Sequence, residues 1–176
     1  MMTAEGAVLL LIDLQERLVP AIHDHEAVVA RAVRLAEAAQ LLNVPIRATE
    51  QYPVGLGRTV APLAPYAQAV LSKTTFSAAE DPGFHELLPT GAAEIVVAGV
   101  EAHVCVLQTA LGLLRPGHRV FVVADAVGSR DPADKAVALD RASRHGAEIV
   151  TSEMVLFEWL HDAEHPGFRE VQKLLK

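Results

Sequence analysis

Ala7-Val8-Leu9-Leu10-Leu11-Ile12-Asp13 is an unbroken apolar run closed by one carboxylate. A strand with one wet face would alternate apolar and polar residues, whereas a run apolar at every position needs cover on both faces. Five further runs, at 44–49, 69–72, 94–99, 119–125 and 148–151, are rich in Val, Ile, Leu and Ala and read as strands like the one at 7–13. Longer amphipathic stretches lie between them. Short apolar strands alternating with helices predict the α/β class, with a mostly parallel six-stranded sheet in a three-layer α/β/α sandwich of Rossmann-like form.

The helices are legible from their stripes and ends. Ala27, Val28, Ala32, Leu35, Ala36 and Ala39 recur at helical spacing behind Asp24, which is placed to cap them, and the stripe ends at Asn43 ahead of Pro45. Asp131-Pro132 has the order of a cap followed by a proline in the first turn, and Gly146 supplies the stop after Val137, Leu139, Ala142 and His145. Segment 50–65 carries Pro53, Gly55, Gly57, Pro62 and Pro65 without periodicity and reads as a long loop. With 176 residues, 51% of them hydrophobic, the chain is expected to form one domain over 1–176.

Charge narrows the partners. The formal net charge is −7, and the 15 Lys and Arg residues are scattered, so no nucleic-acid partner is expected. The apolar run at 7–12 is too short to span a bilayer and no basic leader precedes it, so neither a membrane nor export is expected. Cys105 is the single cysteine, which rules out an internal disulfide and suits a cytoplasmic setting.

In an open parallel sheet, ligands sit outside the carboxyl ends of the strands. Asp13 ends the first strand, Lys73 follows the third, and Cys105 lies just past the fourth at the start of the next helix. Singly, each has an ordinary reading: a buried small hydrophobe, a helix cap, a solvated surface lysine. As a set they hold a nucleophile, a cation and a base. A helix N-terminus and a nearby ammonium both favour a thiolate, and a carboxylate within reach can take and return the thiol proton. His103, two residues from Cys105, is an alternative base. The eight histidines show no metal-ligand spacing, and no glycine-rich phosphate loop follows a strand.

Three motifs carry a family likeness: Leu11-Ile12-Asp13-Leu14-Gln15, Ser72-Lys73-Thr74-Thr75-Phe76-Ser77 and Ala98-Gly99-Val100-Glu101-Ala102-His103-Val104-Cys105. In order and separation they resemble the catalytic motifs of the isochorismatase-like cysteine hydrolases. The segments 49–57, 125–130 and 165–168 are similar to the subgroup of isochorismatase domain-containing proteins. The resemblance implies Cys105 as nucleophile, Asp13 as general base and Lys73 as the cation supporting the thiolate. It further implies an oxyanion hole from the backbone N–H groups of Glu101 and Cys105, a cis peptide at Val100–Glu101, and a substrate pocket shaped by Glu50, Gln51, Tyr52 and Phe76. A homo-oligomer acting on a small-molecule substrate is the form it suggests.

The nicotinamidase branch of that family carries an Asp-Trp-His-Pro-like segment of metal ligands. Here the matching stretch is Glu50-Gln51-Tyr52-Pro53, without the histidine, so no metal or other cofactor is expected. True isochorismatases cleave a vinyl ether, which needs no thiol. The presence of Cys105 therefore favours hydrolysis of an amide-type C–N bond, with vinyl-ether hydrolysis and a non-enzymatic binding module as the alternatives.

Overall fold

A computed structural model describes residues 1–175. Its elements, in chain order, are β1 (Ala7–Ile12), α1 (His25–Leu41), β2 (Ile46–Gln51), α2 (Pro53–Leu56), β3 (Ala69–Lys73), α3 (Phe84–Leu87), β4 (Glu94–Val100), α4 (Leu107–Leu114), β5 (Arg119–Gly128), α5 (Pro132–Arg144), β6 (Glu148–Val150), α6 (Ser152–Leu160) and α7 (Phe168–Lys173). The strands form one six-stranded sheet in the order β3-β2-β1-β4-β5-β6, and every pair in it is parallel. β1 and β4 are buried at every position, as the apolar runs at 7–12 and 95–100 require.

Side chains alternate across a strand, so β1 feeds two cores. Leu9 and Leu11 pack with Ala32, Leu35 and Ala36 of α1 and with Leu156 and Trp159 of α6. Val8, Leu10 and Ile12 belong to the opposite core, with Ala110 and Leu113 of α4 and Ala138 and Ala142 of α5. The chain winds outward from β1 through β2 to β3, then returns to β4 beside β1 and winds the other way. Right-handed crossovers in opposite directions put their helices on opposite faces, which gives the three layers. The reversal between β1 and β4 is a topological switch point, where a crevice opens at the strand ends.

Gly99 lets the two strands close at that point. It pairs with Ile12 at φ +130°, and a Cβ there would lie 2.1 Å from the Ile12 carbonyl oxygen.

Several boundaries differ from the sequence reading. β2 runs to Gln51, so Glu50 and Gln51 belong to a strand and not to the loop expected from residue 50 onward. The rest of that loop carries the short α2 and an antiparallel bridge between Gln15 and Thr59. β5 continues three residues past Asp125, because Ala126 and Val127 are fully buried. Asp24 does stand before α1, but at φ +52° and without a side-chain cap bond. Asp131 caps α5 as read, accepting the Ala133 N–H at 2.8 Å. Among the described residues, no helix is long and apolar enough to cross a membrane.

Candidate active site

Asp13 is the first residue beyond β1, and the chain leaves the strand there in the left-handed region, at φ +49°. Aspartate tolerates that conformation better than most residues. Its carboxylate is wholly buried, so each oxygen needs a donor. The Thr49 hydroxyl donates to Oδ1 at 2.6 Å, and Lys73 Nζ donates to Oδ2 at 2.8 Å.

Lys73 closes β3 opposite Gln51, and its side chain is as buried as that of Asp13. An ammonium out of water must fill its three hydrogens. Besides Asp13, it has Gln51 Oε1 at 2.7 Å and the carbonyls of Thr75 and Phe76 at 3.2 and 3.3 Å. Gln51 is steadied in turn, its Nε2 donating to the Thr74 carbonyl at 2.8 Å.

Cys105 lies beyond β4 in a single π-turn, Ala102–Val106, that leads into α4. Isolated π-turns concentrate at functional sites. The Glu101 carbonyl accepts the N–H groups of Val104 and Val106, on either side of Cys105, at 3.1 and 3.2 Å. The Val100–Glu101 peptide that precedes the turn is cis, as the resemblance implied.

The electrostatics correct one expectation. A standing thiolate supported by Lys73 and a helix end is not what the site favours: the Cys105 thiol is pushed up to about 12. Burial is the first cause, and the Asp13 carboxylate, as a nearby anion and as an acceptor for the thiol hydrogen, is the second; Lys73 works in the opposite direction and is outweighed. The sequence shows the charges but not the depth at which they lie. Much of the ammonium's field is taken up by Asp13, to which it is directly bonded.

Around these three groups the other named residues divide. Glu50 is buried, and its carboxylate is taken up by the loop that follows: Thr59 N–H and Oγ1 donate to Oε1 at 2.8 and 2.9 Å, and Arg58 donates to Oε2 at 2.9 Å. Burial alone would raise this carboxyl, but those donors together hold it below the usual range. Glu50 thus pins the loop, while Tyr52 and Phe76 stand 56% and 55% exposed beside the ends of β2 and β3. His103 engages Ser129 Oγ at 2.9 Å through Nδ1, and its Nε2 lies 3.7 Å from Asp134. Its ring is occupied away from the thiol.

Three contributors escape a pattern reading. Thr49 bonds the carboxylate of Asp13. Gln15 is fully buried and clamps β2 to the loop, donating to the carbonyls of Gln51 and Gly57 at 3.0 and 2.8 Å and accepting the Gln51 N–H at 2.8 Å. Arg130 fixes the Glu101 carboxylate through Nε at 2.9 Å and its backbone N–H at 3.2 Å. Each lies in a motif or segment that carried the family likeness, Gln15 in the first motif, Thr49 at the start of 49–57 and Arg130 at the end of 125–130, but no role for any of them was legible there.

The isochorismatase domain model matches residues 7–154, a span that includes all three groups. Isochorismatase domain-containing protein 2 of Danio rerio is 41% identical over 175 residues, covering 99% of this chain and 89% of that one. Among solved structures, the MAR1 ribonuclease of Caenorhabditis elegans superposes with a TM-score of 0.93 at 37% identity, covering 99% of this chain and 91% of that one. The YcaC gene product of Escherichia coli, described as an octameric hydrolase of unknown specificity, gives a TM-score of 0.88 at 25% identity, covering 98% of this chain and 94% of that one.

Proposed function

The chain belongs to the isochorismatase family, and from that premise we propose that it is a cysteine hydrolase cleaving an amide-type C–N bond of a small molecule. The observation that carries the reading is the meeting of Asp13, Lys73 and Cys105 at the sheet's switch point, with one buried carboxylate bonded to the ammonium and set beside the thiol.

The chemistry follows from the resting thiol. With the proton held on sulfur, attack and deprotonation occur together: Sγ bonds to the carbonyl carbon while Asp13 takes the thiol hydrogen. The carbonyl oxygen becomes an oxyanion, which the N–H groups of Glu101 and Cys105 are suited to hold. Collapse breaks the C–N bond, and the amine leaves with the proton from Asp13. Water then attacks the thioester, gives a proton to Asp13, and releases the acid as that proton returns to sulfur. Lys73, hydrogen-bonded to Oδ2, holds the Asp13 carboxyl in place through both transfers.

The ribonuclease name of the nematode relative is not carried over, because a chain of net charge −7 with scattered basic residues offers no track for a phosphate backbone. Dependence on a free thiol fits a reducing, cytoplasmic setting. We further read the protein as a homo-oligomer, supported by the octameric form of the Escherichia coli relative.

A panel of small amides, with ammonia or amine release as readout, tests the function. Turnover is expected on at least one, with a mass increase on Cys105 equal to the acyl group less the displaced hydrogen after rapid acid quench, and none in Cys105→Ala. Full turnover by Cys105→Ala would overturn the nucleophile assignment and put a thiol-free mechanism of the vinyl-ether type, with Asp13 as proton donor, in its place.

A further inference from the structure

The Asp13 carboxylate has a second side-chain partner besides Lys73, contributed by β2. Thr49 is fully buried and aligns with Ile12 in the β1–β2 register, which sets its hydroxyl against the residue that follows. The contact runs both ways. Asp13 N–H donates to the Thr49 carbonyl at 3.1 Å and lies 3.3 Å from Oγ1, while the hydroxyl donates to Asp13 Oδ1 at 2.6 Å. A hydroxyl has one hydrogen, so with the backbone N–H on its lone-pair side the hydrogen is committed to the carboxylate. A separation of 2.6 Å is that of a charge-assisted O–H···O⁻ bond.

Resting on the cysteine-hydrolase reading above, we propose that Thr49 is a positioning residue that sets the orientation of Asp13 for proton transfer with Cys105. With Oδ1 held by Thr49 and Oδ2 by Lys73, the plane of the carboxylate is fixed at two points, and each oxygen keeps a lone pair. Without the hydroxyl, the ammonium alone orients the group, and the stronger donor draws both oxygens toward itself. The acceptor lone pair then turns away from Sγ. Burial prevents water from replacing the lost donor. Because Thr49 lies beneath the carboxylate and offers no exposed surface to a substrate, the deficit falls on the chemical step and not on binding.

Valine keeps the shape of threonine and lacks the hydroxyl; serine keeps the hydroxyl and lacks the methyl. On the best amide from the panel, Thr49→Val is expected to lower kcat roughly 100-fold, the scale of a misplaced catalytic group, with KM within about twofold of the parent. Thr49→Ser is expected to recover most of that loss. Near-parental kcat in Thr49→Val overturns the proposal, as does a loss in Thr49→Ser as deep as that in Thr49→Val. If valine prevents folding, Thr49→Ala and Thr49→Ser still differ by the hydroxyl alone, and equal kcat for those two overturns it. Failure of the nucleophile assignment is read separately, as turnover that survives Cys105→Ala.

Discussion

At the scale of single residues, the decisive quantity is the proton on Cys105. A free thiol titrates near 8.5, whereas burial and Asp13 hold this one at about 12, so the thiolate at pH 7 is on the order of one molecule in 10⁵. The rate of alkylation by iodoacetamide is therefore expected to be low at neutral pH and to keep climbing through pH 10, where an ordinary thiol has levelled off. A plateau below pH 8 would contradict this. The two neighbours push the thiol in opposite directions, which separates their roles. Asp13→Asn removes the anion that favours S–H and should speed alkylation at pH 9, while Lys73→Met removes the cation that opposes it and should slow alkylation. Both should abolish turnover, since one lacks the base and the other leaves a buried carboxylate without its counter-ion. Labelling and turnover that rose or fell together in both variants would show that the residues do not divide the work in this way.

At the scale of elements, the sequence was most legible where burial is symmetric. β1, and β4 beyond its first residue Glu94, announce themselves because a strand covered on both faces is apolar along its length, and α5 because cap, proline and glycine each act locally. The end of β2 was not legible. Glu50 and Gln51 are polar, yet they continue the strand because their partners come from elsewhere: the 58–59 loop and Lys73. Polarity then reads as a loop. The candidate trio was visible as strand-end residues, but the raised thiol was not, since it depends on packing from both sides. Gly99 tests the element that places the trio. A Cβ there meets the Ile12 backbone at 2.1 Å for O and 2.7 Å for N, so Gly99→Ala can be accommodated only by parting β1 from β4. A loss of more than about 3 kcal/mol in urea denaturation is expected. Gly117→Ala is the control, at φ +93° with nothing within 4 Å of its Cβ, and should cost about 1 kcal/mol from backbone strain alone. Equal losses would mean that the close approach of the two strands contributes nothing.

At the scale of the whole molecule, the site is held by residues 13, 49, 73 and 105, which meet only once four parallel strands are in register. No short segment carries it. Two cores on opposite faces of one sheet stabilise that register, yet the edge bearing the site is not fully covered by the chain itself. Tyr52, Val54 and Phe76 are 56%, 84% and 55% exposed, on the two segments that follow β2 and β3. Large apolar side chains grouped at one edge are costly in water and are the usual material of interfaces between subunits. Such an arrangement supports the homo-oligomer reading and says where to test it. Light scattering on a sizing column should give an integer multiple, greater than one, of the 18.8 kDa chain mass. The triple substitution Tyr52→Ser, Val54→Ser, Phe76→Ser should shift the assembly to a smaller species, while its circular dichroism stays that of the parent, because none of the three side chains belongs to either core. A monomer at micromolar concentration would remove the oligomer, and an unchanged assembly in the triple variant would move the interface to another face of the molecule.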